Sequence, residues 1–502
     1  MKKTIIAVVL LSVVGKSFGL IRDMLITNYF GFNEVTDALY ISISVVLLLF
    51  SVFNTVIRTT FSPMFSSKSI ENQKKSFSEL NSVGNFIIIL LLIVSLLTYI
   101  FPQFFLFIVS PGVSELTSSY AIKFIKLLSF VILFYGFVSI LNGYLQAVKV
   151  YKTSEIAGLI NNLTIIIIFL ILFAHYSYIS IIYAYITGAV LQFLFVYIIF
   201  TKNTNDSKWN FLFFDLKPIK EFSLLSRYLL LSAFVSQLTV LSDKFIASFL
   251  NTGAITALQY ANTIKNLPIT LVVMVVTNVL FTNLSINQQK SQQLYEKNIF
   301  NQINILLAFI TPFIILFFYF SPQIVKLLFY RGEFTLNGVN MTANSLIAYS
   351  FGLFFFVIKE VLNKAALAAK KTKITFKIAI ISLFINLIFN IVFSKYYGYV
   401  GIAASTSLSI LINTIILLYI LDKQKVLSNI KDLIFVSLMY FFSLVSGLLI
   451  FKFVQFDLPN LVLEISFNFL LICCYQLFCF IFIKRSIVNV QKNKSQSFKK
   501  SK

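Results

Sequence analysis

The chain has 502 residues, 58% of them hydrophobic and only 12% charged, with 41 Lys and Arg set against 18 Asp and Glu for a net charge of +23. At a mean hydropathy of +0.89 it has too little polar surface to clothe a soluble domain, so lipid must be the solvent for most of it. That excludes a water-soluble enzyme, and it makes the placement of the basic residues more informative than their number.

Helices crossing about 30 Å of hydrocarbon need about 20 apolar residues. Such runs occur at 4–29, 35–62, 80–108, 117–146, 154–174 and 178–201. After a polar linker at 202–222 they resume at 223–250, 254–284, 298–320, 338–368, 374–394 and 399–421, and two more follow at 432–454 and 460–483. Met1, Lys2 and Lys3 ahead of an apolar run mimic a secretory signal. No small-x-small cleavage site follows and further apolar runs come at once, so this is read as the first of fourteen spans.

With the N-terminus inside, alternate loops carry Lys68, Lys74 and Lys75, then Lys149 and Lys152, then Lys202, Lys208, Lys217 and Lys220, then Lys290 and Lys297. The series continues with Lys370, Lys371 and Lys373, then Lys423, Lys425 and Lys431, and ends in a basic tail over 485–502. The opposite loops hold only Lys326, Arg331, Lys395 and Lys452. Basic residues collect on the cytoplasmic side, so both termini are expected there, in a multi-pass protein of the bacterial plasma membrane. The charge is thus a topology signal and not a sign of nucleic acid. The tail is also placed to touch anionic membrane lipid.

The chain repeats itself. Shifted by 220 residues, Arg22 and Asp23 lie over Ser242 and Asp243, Val35 and Thr36 over Ile255 and Thr256, and Tyr40 over Tyr260. Further on, at shifts of 222 and 221, Leu145 meets Leu367 and Tyr178 meets Tyr399. Each copy holds six spans, an even number, so the copies are parallel, as in transporters whose halves rock about a midplane site. The expected organisation is a six-helix bundle over 1–201, a cytoplasmic linker over 202–222, a second bundle over 223–422, and spans 13 and 14 over 430–484 outside the repeat.

Ionisable residues within spans cost at least about 2.5–3.5 kcal/mol near the centre and mark function by default. They are Lys16, Arg22, Asp23, Asp37, Arg58, Lys123, Lys126, Arg227, Asp243, Lys244, Lys265, Lys359, Glu360 and Lys364. Arg227, Lys359 and Lys364 near span ends have a bland reading as snorkelling side chains. The neighbours Arg22 and Asp23, and likewise Asp243 and Lys244, have one as structural ion pairs. A basic excess survives these discounts: Lys16 and Arg22 lie about 9 Å apart along one helix, with Arg58 on span 2 and Lys265 on span 8. Such a cluster suits a diphosphate, for which Arg offers a fork of donors and Lys a compact charge. Asp37 and Asp243 are the acidic candidates for gating or ion coupling. Pro268 and Pro312 inside spans favour kinks. Cys473, Cys474 and Cys479 share one apolar run and read as small membrane-facing residues, and His175 falls in an external loop. No phosphate-binding loop, metal-ligand cluster or nucleophile motif is present, so no catalytic residue, metal or cofactor is assigned.

Several stretches resemble the MurJ family of lipid II flippases, within the multidrug/oligosaccharidyl-lipid/polysaccharide exporter superfamily. They are Gly15-Lys-Ser-Phe-Gly-Leu-Ile-Arg-Asp, Thr36-Asp-Ala, Ser242-Asp-Lys-Phe-Ile-Ala-Ser-Phe-Leu, Leu258-Gln-Tyr-Ala-Asn, Leu327-Leu-Phe-Tyr-Arg-Gly-Glu-Phe-Thr and Ile347-Ala-Tyr-Ser-Phe-Gly-Leu. The resemblance implies an all-α, fourteen-helix, V-shaped pair of bundles with spans 13 and 14 shaping a groove for a lipid tail. It also implies that basic residues of spans 1, 2 and 8 bind the lipid-linked diphosphate. Arg22 and Asp37 match the family pattern, and Lys16 stands where arginine is usual. On span 2, Val46-Leu-Leu-Leu-Phe-Ser replaces the usual Pro-Asn and paired arginines, leaving Arg58. On span 8, Thr263 occupies the usual arginine position with Lys265 two residues on.

The sequence thus points to a flippase for an undecaprenyl-diphosphate-linked saccharide, driven by membrane potential or an ion gradient and associated with cell-wall or polysaccharide synthesis enzymes. The alternatives are a flippase for a capsule or exopolysaccharide unit, an ion-coupled drug antiporter, which would favour carboxylates in its cavity, and, most distantly, a membrane glycosyltransferase.

Overall fold

In the computed structural model, residues 2–65, 73–204, 209–273, 276–277, 291–369, 371–427 and 430–500 are described. The loop lysines Lys68, Lys208, Lys290, Lys370 and Lys502 and the end of span 8 lie outside them. Every regular element among the described residues is helical, and eleven of the helices are long and apolar enough to cross a membrane.

The helices are α1 (Lys2–Phe30), α2 (Glu34–Phe65), α3 (Gln73–Ile100), α4 (Pro102–Val109), α5 (Glu115–Ala147), α6 (Lys152–Tyr176) and α7 (Ile179–Asn203). After these come α8 (Leu216–Ala247), α9 (Ala254–Pro268), α10 (Gln292–Phe329), α11 (Leu336–Ala368), α12 (Thr372–Lys423), α13 (Ile430–Phe451) and α14 (Leu461–Lys500). Span 3 divides into α3 and α4 at Phe101, because Pro102 has no N–H to continue the helix and restricts the residue before it. Spans 11 and 12 run together as α12, broken only at Gly398, where φ is +56°. Asp215 accepts from Lys217 N–H at 2.9 Å and so starts α8 at Leu216, within the stretch read as linker. Pro268 ends α9 and passes into a π turn at Ile269–Val273. Within α10 the break comes at Phe320, ahead of Pro322, while Pro312 keeps helical dihedrals. The residue before a proline-restricted position absorbs the bend there, and one missing hydrogen bond at Pro312 is tolerated.

The chain forms two compact units: residues 1–259 with 331–338, and residues 260–330 with 339–502. In the first, α2 packs on α5 and α8, α1 on α6, and α5 on α3 and α7. Its buried heart includes a run of rings, Phe61 to Phe65, Phe65 to Tyr144 and Tyr144 to Phe200, with centroids 5.2–5.8 Å apart. In the second, α10 packs on α13 and α14. There Tyr260 stacks on Phe329 at 4.6 Å, and Tyr440 donates to Asn304 at 2.6 Å. Large apolar side chains such as Phe107 and Phe478 stay exposed on both units, as helices solvated by lipid require.

Candidate functional site

Arg22 is the best-anchored cation of the first unit. Its Nε and Nη2 donate to one oxygen of Asp23 at 3.0 and 2.8 Å, and its Nη1 donates to Asn162 of α6 at 3.1 Å. Asn162 in turn donates to the Gly15 carbonyl at 3.1 Å. The guanidinium lies 5.5 Å from the centroid of Tyr185 on α7. Asp23 is buried and Arg22 half-buried. The pair is structural in character: three of the five guanidinium N–H groups are engaged within the protein.

Lys16 is exposed on the same helix, and Arg58 is exposed on α2. Neither forms an ion pair among the described residues. Lys265 belongs to the second unit, where its Nζ lies 4.1 Å from the ring centroid of Tyr349 on α11. The four predicted cations are thus three in one unit and one in the other.

Asp37 is buried, and its role is local and definite. One carboxylate oxygen accepts from Gly253 N–H at 2.7 Å, and the other accepts from the N–H of Thr256 at 3.0 Å and from its hydroxyl at 2.5 Å. This is an N-cap for α9, supplied from α2 and favoured by the positive end of the helix dipole. The repeat explains why an outside cap is needed. At the start of α2, Asn33 accepts from the N–H groups of Val35 and Thr36 at 3.0 and 3.2 Å. At the 220-residue shift the matching position is Gly253, which has no side chain to cap with.

Asp243, half-buried near the end of α8, precedes Lys244. Lys244 reaches α2 and α9 instead of only its neighbour: its Nζ donates to Ser44 Oγ, to Gln259 at 3.1 Å and to the Tyr40 carbonyl at 3.4 Å. The segment 331–338 also packs into this corner. Glu333 N–H donates to the Asn28 carbonyl at 3.2 Å, and Phe334 meets Phe32 edge-on at 5.6 Å. Gly332 has φ of +57°, and a side chain there would strike the Asn28 carbonyl. Likewise Gly253, at φ +88°, lies under the Phe32 ring. The Arg-Gly-Glu-Phe-Thr stretch, part of the sequence resemblance, is thus a turn shaped to seal against the α1–α2 corner.

Asn162, Tyr185 and Gly253 are not singled out in the sequence, and Gln259 enters there only as part of the Leu258-Gln-Tyr-Ala-Asn stretch. Asn161 and Asn162 inside an otherwise apolar run were the available signal, because a buried amide in lipid needs partners. Among the described residues no group of His, Cys, Asp and Glu is placed to hold a metal.

A model of the family described as lipid II flippase MurJ matches residues 26–474. The probable lipid II flippase MurJ of Buchnera aphidicola subsp. Schizaphis graminum is 27% identical over 446 residues, covering 86% of each chain. The lipid II flippase MurJ of Thermosipho africanus is 28% identical, covering 84% of this chain and 85% of that one. A solved structure of lipid II flippase MurJ in an inward closed conformation superposes with a TM-score of 0.78 at 27% identity, covering 96% of this chain and 99% of the other. An inward-facing multidrug resistance MATE transporter of the MOP superfamily shares the fold at 14% identity, with a TM-score of 0.70 over 84% of this chain and 98% of that one.

Proposed function

Because this chain belongs to the MurJ family of lipid II flippases, we propose that it carries an undecaprenyl-diphosphate-linked saccharide, lipid II in the first instance, from the inner to the outer leaflet by alternating access. The observation that carries this reading is the family match over 26–474, joined to a likeness in fold that covers nearly all of both chains. The chain is a membrane transporter and not a catalyst in this reading. Its bundles over 1–201 and 223–422 act as the moving halves, with both termini in the cytoplasm.

Arg22 supplies two free N–H groups to the diphosphate while Asp23 and Asn162 fix its direction. Lys16 and Lys265 add compact positive charge along the route, and Arg58 a further fork of donors. Asp37 acts as a gate residue by closing the first turn of α9 in one state and releasing it in another, and Asp243 beside Lys244 is the second acidic candidate for gating or ion coupling. Moving each negative charge outward gains about 2.3 kcal/mol per 100 mV when the cell interior is negative, so the membrane potential alone can drive export. The enzymes that make and consume the lipid-linked sugar are the expected neighbours.

Complementation tests this reading. A strain depleted of its own lipid II flippase should regain growth, and lipid II should again become accessible at the cell surface, when this chain is expressed. Full membrane levels without either recovery would overturn it.

A further inference from the structure

The turn between α7 and α8 has a feature that flipping does not require. Trp209 donates to Asn85 Oδ1 on α3 at 2.8 Å, and the same amide donates to the carbonyls of Asn210 and Phe213 at 2.8 and 3.0 Å. Asp215 N–H donates to Ser82 at 3.0 Å. The Trp209 ring occupies the space a side chain at position 84 would need, which glycine leaves open. Above this pin, Phe211, Leu212, Phe213, Phe214 and Leu216 are exposed, Leu212 at 91% and Leu216 at 79%.

Two properties set this patch apart from the lipid-facing sides of the helices. It is an irregular segment, yet its polar backbone is largely satisfied from within. Leu212 N–H bonds to Asn210 Oδ1, Phe213 N–H to the Asn210 carbonyl, and Lys217 N–H to Asp215, in addition to the Asn85 and Ser82 contacts. Satisfying those groups internally is the condition for non-helical backbone to leave water. The patch is also flanked by the exposed cations Lys217 and Lys220, with Asp215 committed to the α8 cap. A rigid run of Phe and Leu beside lysines, at the depth where two membrane helices end, matches the interfacial zone of a bilayer.

We propose that residues 211–220 form an interfacial anchor that binds anionic phospholipid, with Phe211, Leu212, Phe214 and Leu216 entering the acyl boundary and Lys217 and Lys220 holding the phosphate headgroup. The leaflet is the one in which α7 ends and α8 begins, which is the cytoplasmic one in the positive-inside reading.

Trp209 is the sole tryptophan of the chain, so its fluorescence reports on this turn alone. The full-length protein is reconstituted in phosphatidylcholine vesicles containing rising fractions of brominated phosphatidylglycerol or, separately, brominated phosphatidylcholine. Quenching should set in at a lower fraction of the anionic lipid. Lys217→Gln and Lys220→Gln should each reduce that preference about fivefold, and together bring the two curves into coincidence. Leu212→Ser with Phe214→Ser should weaken quenching by both lipids. Equal quenching by the two lipids in the parent protein would overturn the headgroup site, and no quenching by either would place the turn in water and overturn the anchor. Both lysine changes are on exposed positions, and retained Trp209 emission energy verifies that the pin to Asn85 is intact.

Discussion

Asp37 and Thr256, 219 positions apart in sequence, are joined by two hydrogen bonds, both donated by Thr256 to one carboxylate oxygen of Asp37. The other oxygen holds Gly253 N–H, so one buried side chain closes the first turn of a helix that begins without a cap of its own. Asp37→Ala leaves those N–H groups without a partner and should lower stability by about 2 kcal/mol. Asp37→Asn keeps one acceptor and loses the charge, so a smaller loss of thermal stability in detergent is expected. Transport should fall in both variants, and normal transport with Asp37→Ala would remove it as a gate.

Arg22 needs a design that separates its structural bond from its ligand. Arg22→Ala alone strands the buried Asp23 charge, which costs about 3–5 kcal/mol. Removing both, as Arg22→Ala with Asp23→Ala, avoids the stranded charge. The double variant should reach the membrane at parental levels and fail to flip lipid II. Restored transport in the double variant, or in the charge-swapped pair, would assign Arg22 to folding alone.

Lys265 over Tyr349 gives a graded test. Tyr349→Phe keeps the ring face and should transport normally, whereas Tyr349→Leu removes an attraction of about 0.5–2 kcal/mol and should weaken it. Lys265→Ala should reduce transport more than either, as measured by surface-accessible lipid II. If Lys265→Ala is silent, the cation serves packing and not the diphosphate.

Two glycines should respond in opposite directions. Gly332→Ala forces a side chain into a left-handed turn against the Asn28 carbonyl and should destabilise the 331–338 seal by about 1–3 kcal/mol, detectable as faster proteolysis at that turn. Gly158, inside α6, has open space where its side chain would be. Gly158→Ala should raise the thermal midpoint, by up to about 1 kcal/mol in stability, through helix propensity alone.

Topology is tested by single cysteines in a background where Cys473, Cys474 and Cys479 are replaced. Cysteines at the exposed Thr252 and Leu336 should react with an impermeant reagent outside intact cells, and those at Lys152 and Lys373 should react only after lysis. Labelling of Lys152→Cys in intact cells would reverse the orientation.

The spans were legible because lipid imposes a length and an apolarity that any helix must meet, whereas the division of span 3 at Pro102 and the joining of spans 11 and 12 through Gly398 were not read from the apolar runs. The placement of the polar atoms was less so. Arg22 and Asp23 are neighbours, so their bond follows from the sequence, but Asn162 lies 140 positions away and only the α1–α6 packing brings it in. Asp37 was recognisable as a costly buried carboxylate. Its use as a cap was hidden because the helix it serves starts at a glycine, and a missing cap leaves no mark of its own. Lys244 was paired with its neighbour on paper, while its long stem carries the charge across to Ser44 and Gln259.

The π turn at Ile269–Val273 also bears on how the two halves of the gene product came to differ in length. Ahead of it, counterparts lie 220 residues apart, as with Tyr40 and Tyr260; beyond it the interval is 222 for Leu145 and Leu367 and 221 for Tyr178 and Tyr399. A π turn takes up one extra residue without disturbing the helix before it, which matches the one-residue excess kept between Tyr178 and Tyr399. It rotates everything downstream relative to Lys265. Deleting one residue from 269–273 should restore an ordinary α turn, and with it the phase that the first half has kept.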